Sequence, residues 1–424
     1  MSTIDPLSPI AEPTRVTGKH FTKTLAALKK ITLRKVLLKL HLYITLWLGA
    51  FLVMAGLTGS LLVYDHAIDK WLNSDTMQVE AGQQHLPLSM LIAAANQGSP
   101  IKAPATNMQL PEDADDVLLV RYEVPMEHKA HDGKEHKMMH APLHEVMVNP
   151  YTGQVLGDRV RNDSLMTIVL LLHANLLLDD TGKLIMGITA LLTLVLTMTG
   201  IYLWWPKLSK IKQAFTIKKN ASFTRFNIDL HKTVGIYTAV VLMVVAFSGV
   251  YFNLPEVFKP VVNYFSPLDN MTGMAAMMQM NARTKSAPAN GAAPLSPEAI
   301  VLAVEAAYPN IDIQRLVLAK KADDSIRVTG RQVAEIRSKG ATNIWVDQYS
   351  GKFLQVRDPF KFNAGTAFTN LQLPLHNGEI LGTTGRIMVL ITGFAPLLLM
   401  VTGIIQWLKK RKAKRIHDAR LKSI

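Results

Sequence analysis

Long apolar stretches alternate along this chain with longer stretches in which polar and apolar residues are mixed. The almost uncharged stretches are Leu42–Tyr64, Leu184–Trp205, Val234–Phe252 and Ile387–Trp407. Each has about the ~20 residues that a helix needs to cross the hydrocarbon core of a bilayer. The pattern predicts an α-helical membrane protein with four transmembrane helices. The first apolar stretch is long and follows about forty other residues, so we expect a retained anchor and not a cleaved signal peptide.

Lysine and arginine gather before the first apolar stretch, between the second and third, and after the fourth. By the positive-inside rule these three segments, and with them both termini, are expected in the cytoplasm, which predicts a multi-pass protein of the bacterial inner membrane. The net charge of +14 is then mainly a topology signal, and no basic soluble domain is present that would bind nucleic acid. The expected partner of the apolar helices is the lipid bilayer.

The chain contains no cysteine. Disulfides, iron–sulfur clusters and thiol chemistry are therefore excluded. Any redox cofactor has to be held by histidine, by methionine or by noncovalent packing.

Internal repetition decides the expected architecture. An offset of 203 residues carries His173 onto His376 and Thr199-Gly200 onto Thr402-Gly403. An offset of 190 carries His41 onto His231 and Thr58-Gly59 onto Ser248-Gly249, and an offset of 198 aligns VNPYTG at 148–153 with VDQYSG at 346–351. The unit is a span, an exported domain and a second span. Two such units inserted in the same direction are parallel pseudo-repeats about an axis along the membrane normal.

Each exported segment is predicted to form a small α+β domain. Alternating apolar and polar residues interrupted by a glycine turn indicate a hairpin at 145–156 and again at 343–354. An apolar helix precedes each hairpin at Leu88–Gln97 and Pro297–Tyr308, and short strands are expected at Val117–Glu123 and Gln314–Ala319. The stretch Ala287–Pro294 has the composition of a linker.

The expected organisation has nine segments. They are a basic cytoplasmic segment (1–40), a first span (41–64), a periplasmic domain (65–163), an interfacial helix with the second span (164–205), a basic loop (206–229), a third span (230–252), a second periplasmic domain (253–365), an interfacial segment with the fourth span (366–408) and a basic tail (409–424). The interfacial helix, Leu165–Leu178, is expected to be broken from the second span at Asp179–Gly182, because an unbroken helix from His173 to Trp204 would be roughly 46 Å long.

Four histidines lie at the edges of the predicted spans, where a polar ring is costly and is by default a functional candidate. A lone histidine at a helix end is more often a cap or an interfacial side chain. Here each histidine has a partner in the other half, so the repeat should place His41 opposite His231 near the cytoplasmic face, and His173 opposite His376 near the periplasmic face. Two facing imidazoles can hold iron porphyrin at both axial positions, which favours electron transfer over oxygen chemistry. Zinc is disfavoured, since two nitrogens do not make a tetrahedral site.

Small and cationic residues complete the predicted site. Each histidine pair is expected to meet two glycines, which let a flat macrocycle approach the helix backbone; these are Gly59, Gly249, Gly200 and Gly403. Ordinary small-residue packing of helices in lipid explains the same glycines equally well. Lys183 and Arg386 are equivalent in the two halves and are candidate partners for haem propionates, with topogenic or snorkelling roles as the alternative.

These motifs resemble the PepSY-associated transmembrane helix family, which includes iron-regulated membrane proteins and FoxB-type ferric-siderophore reductases. The resemblance extends from His41 to Trp407 and rests on the histidine and Thr/Ser-Gly spacing, on GIYLWWPK at 200–207, on LHNGEILGTTGR at 375–386 and on the two hairpins. It implies four spans, two PepSY-like domains and two b haems with paired histidine ligands. It also implies reduction of a periplasmic acceptor, with ferric iron in siderophore complexes as the expected substrate.

Other readings stay open. A haem-free scaffold could bind a partner protein or a peptidase through its periplasmic domains. A metal-handling protein could use the histidine- and methionine-rich stretch 126–145 (Met126, His128, His131, His136, Met138, Met139, His140, His144) or the methionines of 271–280. No glycine-rich dinucleotide fingerprint follows a strand, so the expected electron donor is quinol or a separate cytoplasmic flavoprotein.

Overall fold

The computed structural model describes residues 32–124, 143–268, 274–288 and 292–423, without the side chains of 274–278. Within these ranges, four helical segments are long and apolar enough to cross a membrane: Leu33–Leu62, Asp179–Trp204, Phe223–Asn253 and Glu379–Lys422. They cover the four predicted apolar stretches except for Val63, Tyr64 and Trp205, which follow the ends of the first and second helices. The first and third begin about ten residues before the apolar stretch, because the helix continues through polar residues.

Helices α1 (Leu33–Leu62), α6 (Asp179–Trp204), α8 (Phe223–Asn253) and α14 (Ala395–Lys422) form the bundle. Helix α1 packs on α6 and α14, and α8 packs on the same two helices. Two shorter helices lie against the bundle at one end. Helix α5 (Leu165–Asn175) packs on α1, and α12 (Ala364–Asn377) packs on α8.

The fourth apolar stretch is not the uninterrupted helix that was predicted for Ile387–Trp407. Helix α13 (Gly382–Thr392) ends at Gly393-Phe394, and α14 starts at Ala395 with Pro396 in its first turn. Proline fits best in the first turn of a helix, because it lacks the N–H donor that later turns use. At the break the backbone of Gly393 touches α1, since a Cβ there would lie 1.9 Å from Ser60 Oγ and 2.5 Å from the Gly56 carbonyl oxygen.

The interfacial helix before α6 is separate, as expected, but the predicted position of the break is wrong. Leu176 and Leu177 have positive φ angles of 57° and 59° and turn the chain. Asp179 and Asp180 then lie in the first turn of α6, where the helix dipole favours acidic side chains. Gly182 permits the tight reversal, because a Cβ there would overlap the Asn175 carbonyl oxygen at 1.5 Å.

The two long segments between the spans, 65–163 and 253–365, share one eight-stranded antiparallel sheet in the order β4-β3-β2-β1-β5-β6-β7-β8. Its strands are β1 (Asn107–Gln109), β2 (Leu118–Glu123), β3 (Leu143–Val148), β4 (Val155–Val160), β5 (Asp312–Val317), β6 (Ile326–Arg331), β7 (Thr342–Val346) and β8 (Phe353–Arg357). Strand β1 pairs with β5, with Met108 opposite Leu316. The two predicted domains are therefore joined edge to edge, which the sequence did not indicate.

One face of this sheet is apolar and the other is polar. Helices α4 (Leu88–Gly98) and α11 (Pro297–Ala307) cover the apolar face, where Leu118, Val120 and Val328 are fully buried in one continuous core. The polar face carries Arg121, Glu145 and several further arginines, together with a smaller apolar cluster that includes Met77, Leu119 and Met147. The remaining short helices are α2 (Asp65–Leu72), α3 (Ser74–Met77), α7 (Ile211–Ala214), α9 (Pro255–Phe265) and α10 (Met274–Arg283).

Candidate functional site

The structure brings the four candidate histidines together as two facing pairs. His41 on α1 faces His231 on α8, with ring centroids 6.5 Å apart and ring planes at 74°. His173 on α5 faces His376 on α12, with centroids 6.0 Å apart and planes at 66°. Each pair joins one helix from the first half of the chain to one from the second, as the repeat predicted.

The two pairs lie at different depths along the bundle. Helix α1 carries His41 near its start and contacts His173 through Thr58, seventeen residues later. At a rise of ~1.5 Å per residue, these two levels are separated by about 26 Å along the helix axis. The His173–His376 pair lies at the end that leads into the sheet, and the His41–His231 pair lies at the opposite, basic end.

A hydroxyl group from a neighbouring helix contacts the Nδ1 atom of every one of these histidines. Each hydroxyl belongs to the Thr-Gly or Ser-Gly dipeptide that the sequence singled out for its glycine. The distances are 3.0 Å from His41 to Thr199 Oγ1, 3.1 Å from His173 to Thr58 Oγ1, 2.8 Å from His231 to Thr402 Oγ1 and 2.9 Å from His376 to Ser248 Oγ.

These hydroxyls define the tautomer of the imidazoles. Each one donates its single proton to a carbonyl of its own helix, as Thr402 does to Leu398 O at 2.8 Å and Thr199 to Leu196 O at 2.9 Å. The hydroxyl oxygen is then left to accept a hydrogen bond, so Nδ1 of the histidine is the protonated nitrogen. The Nδ1 atom of His173 also lies 3.0 Å from the Ala55 carbonyl oxygen, which can only accept. Nε2 therefore keeps a free lone pair, as a metal ligand requires.

The four glycines lie beside the rings. An added Cβ would lie 2.9 Å from Cε1 of His173 at Gly59 and 3.3 Å from Cε1 of His41 at Gly200. The corresponding distances are 3.5 Å at Gly403, toward His231, and 3.7 Å at Gly249, toward His376. At each depth two histidines thus meet two glycines. A glycine is needed at position 59, because a side chain there would displace the His173 ring.

The spacing of the rings fits a metal between them. A metal–imidazole bond of about 2.0–2.1 Å on each side places the two ring centroids about 6 Å apart. Both observed separations have this value. The described histidine pairs offer two nitrogens each, which suits the axial positions of an iron porphyrin and not a four-ligand zinc site.

The two proposed propionate partners have other contacts. The Lys183 ammonium donates to Asp180 at 3.0 Å on the surface of α6. Arg386 donates to the Val63 carbonyl oxygen, and its guanidinium lies 4.5 Å from the centre of the Tyr64 ring. Through these contacts, Arg386 connects the start of α13 to the end of α1. A role of either residue toward a propionate stays a prediction.

A second ionisable cluster lies outside the bundle, where α2 meets the sheet. Lys70 Nζ contacts Asp115 and Asp116 at 2.6 Å each, and His66 Nε2 lies 3.3 Å from Asp116. Burial alone would raise the pKa of Asp116, but hydrogen bonds from His66 and Lys70 lower this pKa far below its usual range. The hydrogen bond to Asp116 raises the pKa of His66. The cluster ties α2 to the sheet.

The proposed metal-handling stretches fall mainly outside the described residues. This applies to Met126, His128, His131, His136, Met138, Met139, His140 and Met271, and to the side chains of Met274, Met277 and Met278. Of the set, His144 lies in β3 with its Nε2 2.7 Å from Asp158.

The model of the PepSY-associated TM region matches residues 38–410. The chain therefore belongs to this family of membrane proteins. No curated protein matches the chain.

Proposed function

We propose that this protein is a di-haem b electron-transfer protein of the bacterial inner membrane and that it reduces a periplasmic acceptor. The observation that carries the proposal is the pair of facing histidines at each end of the bundle, with centroid separations of 6.5 and 6.0 Å and with Nδ1 occupied on all four rings. Bound haem would supply reversible one-electron chemistry between Fe(III) and Fe(II) at each level.

The side chains of the site have separate tasks. The histidines would hold the haem iron through Nε2, and haem held in this way would supply electron transfer in preference to oxygen chemistry. The hydroxyls of Thr58, Thr199, Ser248 and Thr402 hold the rings in one tautomer and one orientation. The glycines keep the neighbouring backbone clear of the macrocycle.

The orientation follows from the charges. Basic residues gather at the bundle end that holds His41 and His231, where Arg34 donates to the Leu203 carbonyl oxygen and Lys409 to Thr224. We place this end, with both termini, in the cytoplasm, and the sheet in the periplasm. The duplicated halves are then parallel repeats, and the two histidine levels lie near opposite faces of the bilayer.

The electron donor is quinol or a separate flavoprotein on the cytoplasmic side. The described strands form an antiparallel sheet and not the parallel dinucleotide fold that hydride transfer from NAD(P)H would need. The acceptor that we favour is ferric iron in a siderophore complex. One electron converts Fe(III) to Fe(II), which binds anionic oxygen ligands less tightly and is released.

The test is purification in detergent followed by a redox difference spectrum. We expect the absorption bands of six-coordinate b haem, and reoxidation of the reduced protein when ferric siderophores are added in a stopped-flow instrument. His376→Ala should remove one haem and abolish reduction of the acceptor, while His85→Ala, at an exposed ring against Tyr151, should change neither. Colourless wild-type protein would instead indicate the haem-free scaffold. Loss of reduction on deletion of 126–142 with both haems retained would indicate metal handling by that stretch.

A further inference from the structure

Arginines are concentrated on the polar face of the sheet. In one row across the strands Arg121 pairs with Asn107, Asn107 with Val317, and Val317 with Arg327. Arg315 lies in the next row, opposite Gln109. We call Arg121, Arg161, Arg315 and Arg327 the arginine patch. It crosses the junction between β1 and β5, so both halves of the chain contribute to it.

Among the described residues, carboxylates form salt bridges with only part of the arginine patch. Glu145 accepts from Arg121 at 2.7 Å and from Arg159 at 3.1 Å, and it lies 3.9 Å from Arg161. Across the described parts of the chain, neither Arg315 nor Arg327 has a carboxylate within salt-bridge distance, and the Nε atom of each is buried without a hydrogen-bond partner. The guanidinium carbon of Arg327 lies over the Trp345 ring, 5.9 Å from its centre, which is a cation-π contact and adds no negative charge.

Both arginines nevertheless carry their charge at neutral pH. Burial lowers the pKa of Arg327 to about 10. Burial also lowers the pKa of Arg315, and the neighbouring charges of Arg161 and Arg327 lower it further. The like charges of these half-buried arginines repel each other, and the charge of Glu112, whose carboxylate is paired with Lys339, offsets this only in part at Arg315. An arrangement of this kind is stable when an anion joins it.

The patch is turned toward the bundle end that holds His173 and His376. Arg161 begins the turn that leads from β4 into α5, the helix of His173. On the other side Arg337 donates to Asn370 at 3.2 Å, and Asn370 lies six residues before His376 on α12. A ligand held by Arg315 and Arg327 would therefore lie between the sheet and the outer histidine pair.

We propose that Arg315 and Arg327 form a binding site for a soluble oxyanion that bears carboxylate or phosphate groups. The planar guanidinium fork matches such groups bidentately, and the surrounding polar side chains of Gln109 and Thr329 leave room for hydrogen bonds and add no negative charge. The site itself rests on two guanidinium groups that have no carboxylate partner among the residues the structure describes. Its use as the docking place of an anionic ferric chelate rests in addition on the proposed function.

The test uses the full-length protein in detergent and a redox-inert probe, gallium(III) citrate. At constant ionic strength in chloride, calorimetry should show binding to the wild type, and the melting temperature should rise with the probe. Arg315→Met/Arg327→Met should bind at least about tenfold more weakly, since a charged hydrogen bond contributes roughly 1.5–3 kcal/mol. Arg331→Met, at an exposed position on the same strand, is the matched control and should bind like the wild type.

Inorganic phosphate and citrate without metal, in separate titrations, identify which oxyanion the site prefers. In chloride alone the double variant should melt no lower than the wild type, because it removes two half-buried like charges that have no carboxylate within salt-bridge distance in the described parts of the chain. Equal binding by the wild type and the double variant would overturn the proposal. So would absence of binding to the wild type together with loss of haem from the double variant, which would assign the arginines to the haem carboxylates.

Haem is measured on the same samples by absorbance. Probe binding to a colourless protein would overturn the proposed function and leave the oxyanion site in place. A red protein that does not bind the probes would overturn the oxyanion site alone.

Discussion

Gly59 lies against His173 so closely that a Cβ atom at position 59 would come within 2.9 Å of Cε1 of the imidazole. The equivalent contact in the other half, from Gly249 to His376, would be 3.7 Å, which is an ordinary van der Waals distance. Gly59→Ala should therefore displace its histidine and speed the loss of haem to apomyoglobin. Gly249→Ala should lose haem nearly as slowly as the wild type. Equal rates of haem loss for the two variants would contradict the claim that Gly59, unlike Gly249, is required by the position of the facing histidine.

The hydroxyl partners of the histidines should strengthen haem binding but should not be essential for it. Thr402→Val keeps the shape of the side chain but removes the hydroxyl acceptor for Nδ1 of His231 and leaves only the Leu399 carbonyl, so haem affinity at the His41–His231 site should fall roughly tenfold. Thr193→Val is the control, because that hydroxyl only donates to the Thr189 carbonyl oxygen. Haem titration of the two apoproteins checks the difference. The prediction is wrong if both variants bind haem alike.

The contact between His66 and Asp116 should make the stability of the sheet and of its junction with α2 depend on pH. The hydrogen bond to Asp116 raises the pKa of His66 above its ordinary value of 6.5. Its stabilising effect is therefore complete below pH 6.5 and is lost as the pH rises through the raised pKa. His66→Gln should lower the melting temperature at pH 5.5, by the equivalent of roughly 1 kcal/mol, and much less at pH 8.5. An equal loss at both pH values would show that the ion pair has no part in it.

The buried carboxylate of Glu145 should matter more than any exposed one on the sheet. Glu145→Gln leaves Arg121 buried without a carboxylate partner, while Arg159 keeps Asp69 at 2.7 Å. We expect a loss of roughly 3–5 kcal/mol in the free energy of unfolding. Glu123→Gln, which removes an exposed pair with Lys320, should cost less than about 1 kcal/mol. Denaturant unfolding followed through the tryptophan signal distinguishes the two, and similar losses would refute the assignment.

Features repeated in the sequence were the easiest to predict. The four apolar stretches, the facing of His41 with His231 and the facing of His173 with His376 followed from composition and from constant residue offsets. The glycines beside the rings followed from the same offsets. The hydroxyl groups next to these glycines, such as that of Thr58, entered the prediction only as part of the Thr-Gly and Ser-Gly dipeptides. A hydroxyl oxygen beside each glycine could have indicated a hydrogen-bond partner for a ligating histidine.

Other features depend on contacts between distant segments, which periodicity does not show. Strand β1 has only three residues, and its pairing with β5 brings together two strands that lie 203 residues apart in the sequence (312 minus 109). The break at Gly393 results from its packing against Ser60 on another helix. The arginine patch is equally hidden, because the sequence spaces Arg121 far from Arg315 and only the sheet register makes them neighbours.

The most direct test of the central claim is the number of haems per chain in histidine variants, measured by pyridine haemochrome assay against protein concentration. The account predicts two haems in the wild type, one in His231→Ala and one in His376→Ala, and none in the double variant, with His85→Ala retaining both. Wild-type haem content in the double variant, or no haem in the wild type, would contradict it.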